Sequence, residues 1–234
     1  MRWAWLVVLV CCAVPLRGQS EDPWLVVPGR SVGPITAKTT PAKLRLAFPE
    51  TAIKDQMISS GGDGEPEPAT VINGDDPETA LTVFWDRVEG LHPAPTAHPA
   101  SINLCYGNGT APKCKWHLAN KISFGTSLRE LEGLNGGEFQ LTGFEWDFSG
   151  TVVNWKGGTL DRELTGCGRV LLRLQPKYGE GGATPDQQKV EQQVSGEGYF
   201  ASSHLAMQQL DPVVYSISVE FPNAGNCAGK KAVQ

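Results

Sequence analysis

Ile35-Thr-Ala-Lys-Thr39-Thr40-Pro41-Ala-Lys-Leu44-Arg-Leu46-Ala47 returns 87 residues later as Ile122-Ser-Phe-Gly-Thr126-Ser127-Leu128-Arg-Glu-Leu131-Glu-Gly-Leu134. The register needs no gap: Ile35 falls on Ile122, Thr39 on Thr126, Thr40 on Ser127, Leu44 on Leu131 and Ala47 on Leu134. In each copy an apolar residue leads into a Ser/Thr cap and a short helix. The cap hydroxyl satisfies a backbone N–H that the first turn leaves open. The echo predicts a chain of two pseudo-repeated halves.

Thr40 is expected to cap a helix with Pro41 at its first position, where the missing N–H costs nothing. Leu44, Ala47 and Phe48 would face inward, and Pro49 would end it. In the second copy Ser127 and Glu130 have capping-box spacing. Leu128, Leu131 and Leu134 would form the buried stripe, and Asn135-Gly136-Gly137 the stop. Strands are expected at 24–27, 51–58, 69–72, 80–86, 101–106, 115–118, 139–146, 151–155, 168–174 and 213–221. Residues 186–194 read as a polar helix or loop, and Ser202 or Ser203 as the cap of a last short helix. The fold class is therefore α+β, each half a short helix packed on an antiparallel β-meander.

Arg2 followed by an apolar run from Trp3 to Leu16 has the form of a secretory signal peptide. The run is about 14 residues, short of the ~20 that span a bilayer. The expected organisation is a leader over 1–18, a first half over 19–90, a Pro-rich linker over 91–99, a second half over 100–223 and a tail over 224–234. Acylation at Cys11 or Cys12, making a lipoprotein, is the alternative. Loss of Arg2 and Arg17 with the leader leaves 18 basic against 25 acidic residues, a net −7. That balance argues against nucleic acid or an anionic membrane surface as partner.

Cys105, Cys114, Cys167 and Cys227 remain, an even count that reads as two disulfides in an exported chain. Of the three pairings, Cys105–Cys114 is favoured because Tyr106-Gly107-Asn108-Gly109 between them reads as a turn. Cys167–Cys227 would follow. A zinc site is the alternative, but no Cys-x-x-Cys pair or His cluster is present, so no metal and no cofactor is expected. Asn108-Gly109-Thr110 is a glycosylation sequon.

No Gly-x-Ser-x-Gly, His-Glu-x-x-His, phosphate-loop or dinucleotide fingerprint occurs. Glu145 and Asp147 are the sharpest chemical candidates. On a strand, positions i and i+2 share a face about 7 Å apart, a spacing suited to holding a cation or to acid–base work. The competing reading is a solvated face opposite buried Phe144, Trp146 and Phe148. His92 and His98 lie in the linker, and His204 stands beside Ser202 and Ser203 as a nucleophile–base arrangement or simply as a helix-cap neighbour. Trp116 and Trp155 could line a binding surface, but core and sheet packing is the favoured reading for both. The acidic stretch Asp63 to Glu67 lacks calcium-loop spacing.

The run Ile122 to Gly136, with Gly143-Phe144-Glu145-Trp146-Asp147 and Asn154-Trp155-Lys156-Gly157-Gly158, resembles a family of bacterial exported proteins. The stretches 32–49, 200–207 and 211–215 resemble that family's ends. This resemblance covers most of the mature chain and implies no activity. The pattern of Ile, Gly-Thr, a Leu-striped helix, Gly and then strands is also similar, at the level of fold, to two further groups. One is the tandem-repeat β-lactamase inhibitory proteins; the other is the small lipoproteins of the outer-membrane β-barrel assembly machine. Both act by binding proteins, an analogy of fold alone. The function expected is thus a non-catalytic protein-binding or inhibitor-like module of the bacterial envelope. A secreted hydrolase using the carboxylate pair on a glycan is the alternative.

Overall fold

The row Ile53, Ile72, Leu81, Leu104, Ile217 and Leu172 crosses six strands through successive cross-strand partners. It is the spine of a computed structural model that describes residues 22–59, 65–105, 113–166, 168–179 and 181–222. The leader with Cys11 and Cys12, the sequon at 108–110, Cys167, Cys227 and the tail lie outside the described residues.

The chain begins with β1 (Leu25–Val27), β2 (Ser31–Val32) and β3 (Ile35–Thr36), followed by α1 (Pro41–Ala47). A meander follows: β4 (Ile53–Ile58), β5 (Glu67–Ile72) and β6 (Leu81–Trp85). A small hairpin of β7 (Val88–Glu89) and β8 (His92–Pro93) leads to β9 (Pro99–Leu104) and β10 (His117–Leu118). Then come α2 (Leu128–Asn135), β11 (Gln140–Thr142), β12 (Val152–Asn154), α3 (Thr159–Leu164) and β13 (Val170–Gln175). The chain closes with α4 (Pro185–Glu191), β14 (Tyr199–Ala201), α5 (Leu205–Leu210) and β15 (Val213–Glu220). The protein is α+β.

The main sheet has the order β13-β15-β9-β6-β5-β4, antiparallel throughout. Alternation separates its faces. The spine row is apolar. The adjacent row Lys54, Val71, Thr82, Asn103, Ser218 and Leu171 is mostly polar and lies on the opposite face. Strands from before residue 90 and after residue 99 interleave in this one sheet, and one hydrophobic cluster runs from Val26 to Phe221. A smaller sheet, β12-β11-β14, is built from later residues alone, and a four-stranded sheet, β10-β1-β2-β3, joins β10 to the first three strands, with β1 and β10 parallel.

The two stretches share a local turn. Thr36 N–H donates to Thr39 Oγ1 at 2.9 Å, and Ser123 N–H to Thr126 Oγ1 at 3.0 Å. Thr40 and Ser127 cap their helices by accepting from Lys43 and Glu130 N–H, and Glu130 returns a carboxylate to the Ser127 N–H at 2.8 Å. Ile35, Ile122, Leu44 and Leu131 are all buried. Downstream the copies diverge: α1 leads into β4–β6 of the large sheet, and α2 into the three-stranded one.

Three expectations change. The buried stripe of α2 is Leu128, Leu131 and Asn135, while Leu134 is exposed. At about 100° per residue, position i+7 returns to within ~20° of i whereas i+6 lies ~120° away. On α1 only Leu44 is buried, and Ala47 faces water. The 91–99 segment is a packed hairpin and turn rather than a spacer, with Ala94 and Ala97 buried. Ala97 N–H donates to the Ala94 carbonyl, which puts Pro95 at the second turn position, where its fixed φ is favourable.

Cys105 and Cys114 are joined. Closing that short loop is worth about 3 kcal/mol on the chain-entropy account. Asn135, buried at the end of α2, donates to the Trp155 carbonyl and accepts from Leu160 N–H, tying α2, β12 and α3 together. Gly150 has φ +64°, and a Cβ there would lie 1.8 Å from the Leu174 carbonyl oxygen. Gly150→Ala should therefore cost about 3 kcal/mol or more in urea unfolding. Gly136→Ala, at φ +79° with open space around it, should cost only about 1 kcal/mol.

Candidate functional site

β11 stops at Thr142 because the next residue meets another stretch of backbone. A Cβ on Gly143 would lie 2.4 Å from the Gly196 carbonyl oxygen. Gly143 N–H donates to Gly198 O, and Phe144 N–H to Val194 O, both at 2.9 Å. The chain then bends: Glu145 takes φ +62°, and residues 147–150 turn back toward β12. Glu145 and Asp147 are consequently not on a strand, and the i, i+2 argument for a shared sheet face does not apply. Both are exposed, on a bend and a turn. The alternation of buried rings fails for the same reason: Phe144 is buried, Trp146 half-buried and Phe148 62% exposed.

Glu145 has a local partner set. Its Oε2 accepts from Ser195 Oγ at 2.8 Å, and the same hydroxyl lies 3.0 Å from the Glu191 carbonyl oxygen. The Tyr178 hydroxyl donates to the Glu191 carboxylate. Burial pushes the Tyr178 phenol up, and its hydrogen bond to Glu191 and the charges of Glu191 and Glu145 push it further. Asp147 is held through its backbone, its carbonyl accepting from Arg173 Nη2 at 2.5 Å.

Trp116 and Trp155 form no surface. Trp116 is 1% exposed, packs edge-on to Trp24 at 5.1 Å and donates Nε1–H to the Thr79 carbonyl. Trp155 is 4% exposed, 5.0 Å from Phe139. Both satisfy the hydrophobic core.

The exposed rings lie elsewhere. Thr142 is the cross-strand partner of Tyr199 and donates its hydroxyl to the Phe148 carbonyl at 2.6 Å. Tyr199 is 67% exposed. Trp146 stands edge-on to Phe148 at 5.4 Å, its Nε1–H tied to the Gly143 carbonyl. Val153, also exposed, is the extra residue where β12 bulges against β11. Glu145, Asp147 and Glu197 are exposed in the same segments. Sequence reading missed Tyr199, although Gly196-Glu197-Gly198 before it is a signal for exposed chain.

A second cluster was equally unmarked in the sequence. The Asp55 carboxylate, 5% exposed, accepts from Thr70 Oγ1 at 2.6 Å and lies 2.8 Å from His92 Nδ1 and 3.4 Å from Arg45 Nη2. Trp85 Nε1–H donates to the same Thr70 hydroxyl at 2.8 Å. It joins residues 15 and 37 apart in sequence, so no local motif announces it. His204 is the cap of α5: its Nδ1 accepts from Ala206 N–H, so that ring nitrogen is not aimed at a serine. Ser202, one of the two residues expected to cap, is instead fully buried, accepting from Phe139 N–H and donating to Glu132. Among the described residues no group of three His, Cys, Asp or Glu side chains could hold a metal ion, and no helix is long and apolar enough to cross a membrane.

The raised phenol fixes the sign of a pH effect. A group whose proton is held more tightly in the folded chain stabilises it fully below the unfolded phenol value near 10 and loses that contribution as pH rises above it. Urea unfolding between pH 9 and 12 should show a decline in stability that is shallower in Tyr178→Phe; identical slopes would remove Tyr178 from the account. Comparison with protein-family models, curated proteins and solved structures finds no match.

Proposed function

We propose that this chain is an exported, non-catalytic protein-binding or inhibitor-like module of the bacterial envelope. One observation carries the reading: Phe148 and Tyr199 are exposed at 62% and 67%, Tyr199 on β14 of the three-stranded sheet and Phe148, edge-on to Trp146, on the turn between its β11 and β12. Leaving such rings in water forgoes about 1.5–3 kcal/mol each that burial would return. Grouped exposed aromatics, set on strand pairing and a braced turn, are the anchors that protein interfaces use. Thr142, Arg173 and Gly143 hold the turn that presents them.

The hydrolase alternative has one observation in its favour: Glu145 and Asp147 lie in the same segment as exposed Phe148 and half-buried Trp146, where a sugar could stack. Glu145→Gln with Asp147→Asn would abolish glycan cleavage on that reading and leave protein binding intact on the first. For the binding module, Phe148→Ala combined with Tyr199→Ala should release a partner captured from envelope extract by the wild-type mature chain. The expected loss is about 30-fold or more in affinity, with the unfolding midpoint unchanged. Retention of every captured partner by the folded double variant would defeat the proposal.

A further inference from the structure

The polar face of the main sheet carries an open cavity of about 810 Å³ at its β4 end. Lys54 and Gln56 of β4, Val71 of β5 and Thr82 of β6 line it, with Asp75 and Asp76 of the turn between β5 and β6. Register puts Lys54 opposite Val71 and Val71 opposite Thr82, all on the face away from the spine. Asn73 N–H donates to the Ala52 carbonyl at 2.8 Å. The turn that carries Asp75 therefore stands at the same end of β4 as Lys54.

Three polar groups in this lining lack a partner among the described residues. Thr82 is 4% exposed, and among those residues its hydroxyl makes no hydrogen bond. Its neighbour across the ladder, Asn103, is taken by the Ser218 hydroxyl. A buried hydroxyl left without a partner is costly, and native chains rarely leave one. Lys54 and Asp75, both exposed, likewise enter no ion pair among the described residues. Asp76 differs: its carboxylate oxygens accept from Thr79 Oγ1 at 2.6 Å and Glu78 N–H at 2.9 Å, which fixes the turn. The cavity's volume falls within the range of small-molecule sites.

We propose that this cavity binds a small α-amino-acid zwitterion, its carboxylate held between Lys54 and the Thr82 hydroxyl and its ammonium facing Asp75. Adjacent strands lie about 4.8 Å apart, so Lys54 and Thr82 stand roughly 10 Å apart at the backbone. A lysine stem and one carboxylate close that gap over Val71. The carboxylate accepts from both groups, and the Thr82 hydroxyl gains the partner it lacks. The ligand's side chain then runs along Val71 and Ile58, which favours an apolar one. A purely anionic or purely cationic ligand would meet a like charge at the same end of the cavity. Among the described residues no aromatic ring lines the cavity for a sugar to stack on. The site shares no residue with the Phe148 and Tyr199 surface and does not rest on it.

The test records backbone amide NMR spectra of the mature chain with L-phenylalanine, L-phenylalaninamide and 3-phenylpropanoate. The second lacks the carboxylate and the third the ammonium. L-Phenylalanine should move the amides of Lys54, Val71, Asp75 and Thr82 saturably, with Kd about 1 mM or tighter. Each analogue should bind about tenfold or more weakly, the worth of one charge-assisted contact. Thr82→Val should weaken L-phenylalanine about tenfold with the unfolding midpoint unchanged or higher, because the hydroxyl it removes has no partner in the unliganded chain. Lys54→Gln should weaken L-phenylalanine but not L-phenylalaninamide. The proposal fails if L-phenylalanine gives no saturable shift at these amides, if both analogues bind as well as it does, or if Thr82→Val binds it unchanged. It also fails if maltose moves the same amides at lower concentration than L-phenylalanine, since the occupant would then be a neutral sugar.

Discussion

Six apolar side chains in register, Ile53, Ile72, Leu81, Leu104, Ile217 and Leu172, carry the rest of this molecule. Below them runs a second row, Asp55, Thr70, Val83, Ile102, Val219 and Val170, apolar in its last four members. Each fully buried aliphatic side chain is worth about 1.5–3 kcal/mol. A slip of one residue in any strand would turn its buried set outward and bring a polar row such as Lys54, Thr82 and Asn103 into the core. Register is thus set by the core face, and loops and small sheets are hung from a frame that cannot slide.

That frame makes the two halves inseparable. β9, which begins at Pro99, lies between β6 and β15, so the first meander is bonded to the later strands along whole strands. Buried polar groups close the remaining joints. Asn135 links three elements, and Ser202 joins Phe139 to Glu132 and, through it, Gln208. Buried donors and acceptors of this kind are costly when unpaired, so each acts as a positional lock. The surface left over is what the frame does not need: the turn at 145–150, the tip at Tyr199 and the outer edge of β4.

Local chemistry was legible wherever the cause is local. Thr40 with Pro41, Ser127 with Glu130 and Gly136 in the left-handed conformation were all readable, because a cap depends on residues within a turn of one another. The disulfide between Cys105 and Cys114 belongs to the same class, being short in sequence. The strand expected over 139–146 was only half right. Its hydrophobic pattern continues past Thr142, but the 194–198 backbone crosses at Gly143 and ends the ladder. Core packing, the favoured reading of Trp116 and Trp155, holds, but the partners that bury them, Trp24 and Phe139, stand 92 and 16 residues away and no local pattern names them.

The sequence by itself determined the α+β class, the helix caps, the turn repeated at Ile35 and Ile122, and the short disulfide, because each rests on hydrogen bonding, periodicity or loop closure over a few residues. Tertiary structure alone decided which rings face water, that Glu145 and Asp147 lie on a bend and a turn, that Asp55 gathers Thr70, His92 and Arg45, and that β4 has, among the described residues, no strand on its outer side. Those outcomes depend on which distant strands become neighbours. That choice is made by the whole buried face acting together, and no short stretch of chain encodes it.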